Sequence, residues 1–226
     1  MPSKPTRPNA IAKNDRRKVE IIEIAIPLFA TLGPDGVSLR DVAEVAGIKV
    51  GTLYYYFPEK QKLYQAAVDH ALAKSSSLMM EYLAQKHTAR EQLASIIDAH
   101  FLIFSDGNPI GALADRELLN VAANAPSAQK LSAETIGSFR QSQVAVQKII
   151  AEIAGLPDDA PILDWLQEFV ISSIYGVARM QTWYDQTRDG KSPPVEKVKA
   201  DLRDTLVASF EGIGRTHQLT ALVAKV

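Results

Sequence analysis

Apolar side chains recur at steps of three and four residues along almost the whole of this 226-residue chain. No stretch shows the period-two alternation that a half-buried strand needs. This pattern constrains the fold more than any other feature, because each segment can bury a stripe as a helix and none can bury a face as a strand. The sequence therefore predicts an all-α protein. Its first helix is expected from about Asp15 to Leu32, striped by Val19, Ile22, Ile26 and Phe29 and kinked at Pro27. A turn cluster with Gly33, Pro34 and Gly36 follows, and a second helix opens at Ser38. Beyond Pro58 the pattern gives helices of about 59–87, 90–104, 110–123, 128–154, 161–187 and 195–213. Breaks are expected at Asp106 to Pro109, Ala125–Pro126, Gly155 to Pro161 and Asp189 to Pro194, with a loose tail after Gly214.

Composition then removes whole classes of chemistry. The chain has no cysteine, so a disulfide framework, a thiolate metal site, an iron–sulfur cluster and a cysteine nucleophile are excluded, which fits a reducing compartment. His70, His87, His100 and His217 are scattered without ligand spacing. No G-x-S-x-G, P-loop, H-E-x-x-H or dinucleotide fingerprint occurs, so neither an enzyme nor a bound metal or cofactor is expected. The polar, basic stretch 1–18 lacks an apolar h-region, and nowhere do roughly 18 apolar residues run uninterrupted. The expectation is a soluble cytoplasmic protein with no membrane partner.

A formal net charge of −1 conceals an asymmetry. Residues 1–62 carry ten basic against seven acidic side chains, a net +3, and the remainder is −4. The split suggests a small basic head over 1–62 that meets a polyanion and a larger acidic body over 63–226; statistical scatter is the competing account, and the local pattern must decide between them.

The stretch from Ser38 to Phe57 carries the functional signal. Ser38 and Asp41 form a capping-box pattern that starts a helix, and Leu39, Val42, Ala43 and Ala46 make its inner stripe. Gly47 stands where the chain must leave that helix through a left-handed cap. Another short helix begins a few residues later, and two short helices joined by a tight glycine turn make a helix-turn-helix. On the second of them Leu53 and Phe57 point inward, which leaves Lys49, Val50, Thr52, Tyr54, Tyr55 and Tyr56 mostly outward. Exposed consecutive tyrosines call for a partner. Their hydroxyls can donate to phosphate and their rings can pack on sugar or a thymine methyl, with Lys49, Lys60 and Lys62 supplying charge.

The segment from about Val19 to Leu63 resembles the DNA-binding domain of the TetR/AcrR family of bacterial transcriptional regulators. The resemblance rests on Phe29, Gly33, Gly36, the Ser38-to-Ala46 helix, Gly47, and Gly51-Thr52-Leu53-Tyr54-Tyr55-Tyr56-Phe57 with Lys60 and Leu63. It implies a three-helix head in which Lys49, Val50, Thr52 and Tyr54 face base edges in the major groove. Tyr55, Tyr56 and Lys60 would grip phosphates, as would Ser38 and Arg40 near a helix N-terminus, with Lys13, Arg16 and Arg17 on an arm reaching the backbone or minor groove.

The resemblance further implies a body that binds a small molecule and dimerises. Candidate ligand-binding residues are His100, Phe101, Phe104, Phe139, Tyr175 and Trp183, although aromatics at helical spacing also suit a plain core. The helix from Ile162 to Trp183 is apolar on far more than one stripe, as a helix buried on two sides must be. Trp165, Phe169 and Ile174, with Leu202, Leu206 and Phe210 of the last helix, are the candidates for an isologous two-fold interface, and burial within one chain is the competing account. The expected function is that of a ligand-responsive transcriptional regulator, a repressor that binds a palindromic operator in double-stranded DNA as a homodimer and is released by a small apolar or aromatic effector. The alternative is a helical small-molecule-binding or structural DNA-binding protein without a transcriptional role.

Overall fold

The computed structural model describes residues 8–104, 107–122, 130–187 and 192–223, and among them every regular element is an α-helix. In chain order these are α1 (Pro8–Leu32), α2 (Leu39–Val45), α3 (Val50–Tyr56), α4 (Lys60–Ala84), α5 (Ala89–Ile103), α6 (Pro109–Ala122), α7 (Ala133–Ala154), α8 (Ile162–Thr187) and α9 (Val195–Val223). The break expected at Ala125–Pro126 lies outside the described residues, as do Asp106 and 188–191.

Three expectations need correction. α1 begins at Pro8, well before Asp15, because proline is tolerated in a first helical turn and the few apolar residues after it, Ala10, Ile11 and Ala12, are consecutive and make no stripe to read. Its buried arc runs through Ile21, Ile22, Ala25, Ile26 and Phe29, while Val19 is exposed. The helix continues through Pro27, whose ring faces outward. The segment after Gly214 is not a loose tail, since α9 runs on to Val223. A Cβ at Gly214 would lie 1.8 Å from the Ala154 carbonyl oxygen, so glycine here permits close approach of α9 to the end of α7 and does not stop the helix.

The chain divides into two compact units. The first comprises Met1–Lys74 with Pro109–Ser132, and so reaches past the boundary at 62 and takes in α6. α6 joins it because Leu113, Ala114 and Glu117 are buried and α6 packs along α1. Its largest fully buried side chains are Ile21, Ile26, Phe29, Leu53, Leu63, Tyr64, Leu72 and Leu113. The second unit comprises Ser75–Asn108 with Ala133–Val226, and α5, α7, α8 and α9 pack on one another within it. Leu93, Ile96, Ile97, Ile150, Leu166, Val170, Ile174 and Phe210 are at the centre of its core. A second capping box, Thr88 with Glu91, opens α5.

Candidate nucleic-acid interface

The short helices are set by local chemistry. The Ser38 backbone N–H and hydroxyl donate to Asp41 Oδ2 at 2.7 and 2.8 Å, and the Asp41 N–H returns a bond to Ser38 Oγ at 3.3 Å. These bonds, the backbone one foremost, hold the Asp41 carboxyl below its ordinary pKa. Both Ser38 donors are thereby engaged by Asp41. At the other end of α2, the Gly47 N–H donates to the Glu44 carbonyl at 3.1 Å and the Ile48 N–H to that of Ala43 at 3.0 Å, with Gly47 at φ +63°. This is a Schellman termination, and it turns the chain sharply into α3.

α3 is anchored by Leu53, which is fully buried, and by Phe57 just beyond its end. Tyr54 and Tyr55 are 49% and 74% exposed, and Lys49 and Thr52 are exposed with them. Val50 and Tyr56 are half-buried, and the Tyr56 ring meets that of Tyr55 edge to face at 5.2 Å. No atom comes within 4 Å of a Cβ built on Gly51, so this face of α3 is bare. Arg40 is exposed in the first turn of α2, and Lys60 is half-buried as the first residue of α4. Arg17 is held 2.7 Å from Glu20 and Arg16 3.4 Å from the same carboxylate, which lies below its ordinary pKa chiefly through the Arg17 hydrogen bond. Lys13 is exposed, and Lys18 lies 5.5 Å above the Phe57 ring.

Residues that carry no sequence signal complete this unit. Tyr64 of α4 donates to the buried Glu117 of α6 at 3.0 Å, and its ring meets Phe29 edge to face at 5.0 Å. Burial, followed by the Glu117 charge, pushes the Tyr64 phenol well above its ordinary pKa. Arg116 donates to the Ala30 carbonyl at 3.1 Å, answering a free carbonyl near the end of α1.

In the second unit the proposed ligand residues do not all converge. His100, Phe104 and Tyr175 form a ring cluster, with centroids 5.9 Å apart for the first pair and 4.8 Å for the second. Phe101 belongs to the core and lies beneath Lys199, Phe139 is half-buried on α7, and Trp183 is 52% exposed beside Tyr184. The interface residues separate as well. Trp165 and Phe169 are exposed, 62% and 41%, and stacked on each other at 5.6 Å. Ile174, Leu206 and Phe210 are buried in the chain's own core, so these three are covered within the single chain, and the half-buried Leu202 packs against that core. The exposed apolar stripe of α8 is Ile162, Trp165, Phe169, Met180 and Trp183. Among the described residues no His, Asp and Glu side chains cluster as a metal site, and no helix is long and apolar enough to cross a membrane.

Two short helices joined through a left-handed glycine, the second presenting a bare polar and aromatic face, define a helix-turn-helix protein. Residues 21–67 match the model of bacterial regulatory proteins of the tetR family. The chain is 30% identical over 93 residues to the HTH-type transcriptional regulator LuxR of Vibrio harveyi, covering 41% of this chain and 45% of that one. It is 27% identical over 100 residues to the fatty acid metabolism regulator protein of Bacillus subtilis, covering 44% and 52%. The chain thus spans about half the length of these curated relatives. The solved structure of the fatty acid degradation regulator FadR from Bacillus halodurans superposes over 92% of this chain and 97% of its own, with TM-score 0.61 and 14% identity, a likeness of fold. Over residues 21–67, the stretch that carries α2 and α3, the chain is thus similar to the tetR family of bacterial regulatory proteins.

Proposed function

We propose that the protein is a ligand-responsive transcriptional regulator of the cytoplasm, a homodimer that represses by binding a palindromic operator and is released when a small apolar or aromatic effector occupies its body. The observation that carries this reading is the bare face of α3, where Lys49, Thr52, Tyr54 and Tyr55 stand exposed on a helix pinned by Leu53 and Phe57. In this reading Lys49, Val50, Thr52 and Tyr54 meet base edges, while Tyr55, Tyr56, Lys60 and Arg40 meet phosphates. Ser38 serves by fixing the start of α2, its own donors being engaged by Asp41. Arg17 reaches the DNA by exchanging Glu20 for a phosphate. The DNA-reading head lies within residues 1–62. The dimer forms through the exposed stripe of α8, for which Trp165 and Phe169 are the anchors. Relatives named for fatty acid metabolism and degradation accord with an apolar effector.

Selection of bound duplexes from a random pool tests the reading. A near-palindrome is expected, with half-sites that place two recognition helices about 34–36 Å apart or at a multiple of that spacing. Recovery of no preferred sequence overturns it. A preferred sequence from which no compound in a broad apolar and aromatic panel releases the protein points instead to a constitutive DNA-binding protein.

A further inference from the structure

The hydroxyl of Tyr175 in α8 is sequestered from solvent and has no hydrogen-bond partner in the protein. Such a group carries its full desolvation penalty in the folded state, and native interiors retain it where something other than the chain supplies the partner. Its ring is otherwise well held. Phe104 meets it edge to face at 4.8 Å, and the Arg179 guanidinium stands 5.5 Å from its centroid. Packing therefore accounts for the aromatic ring at this position but not for the oxygen.

The neighbouring histidine has complementary chemistry. His100 is buried, and its Nδ1 lies 2.8 Å from the Ile96 carbonyl. A carbonyl only accepts, so Nδ1 bears the proton. Burial pushes the ring below its ordinary pKa and keeps it neutral, which leaves Nε2 as a lone-pair acceptor. His100 and Tyr175 both make ring contact with Phe104. Around one apolar ring the protein thus sets an acceptor from α5 and a hydroxyl from α8.

We infer that His100 and Tyr175 are the polar anchors of the effector site, and that the effector is a neutral, largely apolar molecule bearing a hydroxyl group, which donates to His100 Nε2 while a ligand oxygen accepts from Tyr175 Oη. The inference rests on the ligand-responsive reading above and adds the ligand's chemistry. A carboxylate has no proton to give Nε2 and must be desolvated beside a neutral ring. A plain hydrocarbon leaves both anchors unanswered. An alcohol or phenol satisfies both.

Calorimetry on the full chain with 2-naphthol, naphthalene and 2-naphthoate tests this directly. 2-Naphthol is expected to bind about a hundredfold more tightly than naphthalene, about tenfold for each of its two hydrogen bonds, and more tightly than 2-naphthoate. Tyr175→Phe should cut that preference about tenfold, the bond to His100 remaining, and raise the thermal midpoint of the free protein because only the unanswered oxygen is lost. Equal binding of 2-naphthol and naphthalene, tighter binding of 2-naphthoate, a preference that Tyr175→Phe leaves undiminished, or no binding by any of the three overturns the inference. Affinity for the selected operator is measured alongside. Protein that binds operator but shows none of the expected ligand pattern refutes this assignment alone, whereas the expected ligand pattern without any DNA binding refutes the regulator reading.

Discussion

At the scale of single residues, position on α3 and its flanks separates two kinds of side chain with different consequences. On the proposed reading Lys60, at the start of α4, offers a charge that any duplex would satisfy, whereas Thr52 and Tyr54 offer hydrogen-bonding groups on the exposed face of α3 that bases would have to match. Lys60→Ala is therefore expected to weaken binding to all sequences alike and to lower the slope of log K against log salt by about one charge. Thr52→Ala and Tyr54→Phe should instead change the bases preferred, with about 1–3 kcal/mol lost on the selected site and little on random DNA. Anisotropy titrations on both DNAs over a salt series distinguish the classes, and equal losses from all three variants would refute the assignment. His100 supports a prediction about pH. Its folded-state pKa is depressed below the ordinary 6.5 by burial, so the unfolded chain binds the proton more readily. The stability this contributes is present above pH 6.5 and is lost as pH falls toward the folded-state value. Urea unfolding from pH 8 to 5 should show a decline below 6.5 that is shallower in His100→Gln.

At the scale of elements, α6 ties α1 and α4 into one frame. The Tyr64 hydroxyl is a donor to a carboxylate that is almost wholly buried, so Tyr64→Phe leaves Glu117 short of a partner and is expected to cost about 1–3 kcal/mol in equilibrium unfolding. A cost within error of zero would show that the carboxylate's remaining contacts, Asn120 at 3.4 Å from the same oxygen among them, satisfy it without the tyrosine. This contact also marks the limit of what sequence reveals. α2 and α3 were legible because their determinants are local: Ser38 to Asp41 at one end, Gly47 at the other, and Leu53 and Phe57 one turn apart. Tyr64 and Glu117 are 53 residues apart, and nothing in either neighbourhood announces the other. Gly214 was misread for a related reason, since glycine serves equally to end a helix and to admit a neighbour, and only the Ala154 carbonyl beside it decides which. Likewise an all-round apolar helix shows that α8 has two apolar faces without showing which one the chain itself covers. Ile174 proved to be on the covered face and Trp165 on the open one.

At the scale of the whole molecule, assembly and response are both questions of free-energy coupling. The two faces of α8 predict opposite failures. Ile174→Glu places a charge in the core, where an unpaired ion costs about 3–5 kcal/mol, and should unfold the chain. Trp165→Glu with Phe169→Glu puts charge on an exposed stripe, and should yield a folded monomer with weakened operator binding, checked by sedimentation and circular dichroism together. A double variant that stays dimeric would move the interface elsewhere. Response requires that the effector bind the DNA-incompetent form more tightly than the competent one, because a ligand that binds both equally shifts neither. α4 runs without interruption from Lys60 to Ala84 and contributes residues to both compact units, so in the proposed regulator it is the covalent connection through which an effector in the body would bias the head. The coupling is reciprocal whatever its route. If effector lowers operator affinity by a factor within about 5–150, corresponding to about 1–3 kcal/mol, operator must lower effector affinity by the same factor. Calorimetry of a confirmed effector into free and operator-bound protein measures this directly. Identical affinities in the two titrations would mean that the ligand binds without regulating, and the regulatory role would have to be abandoned even with both binding activities intact.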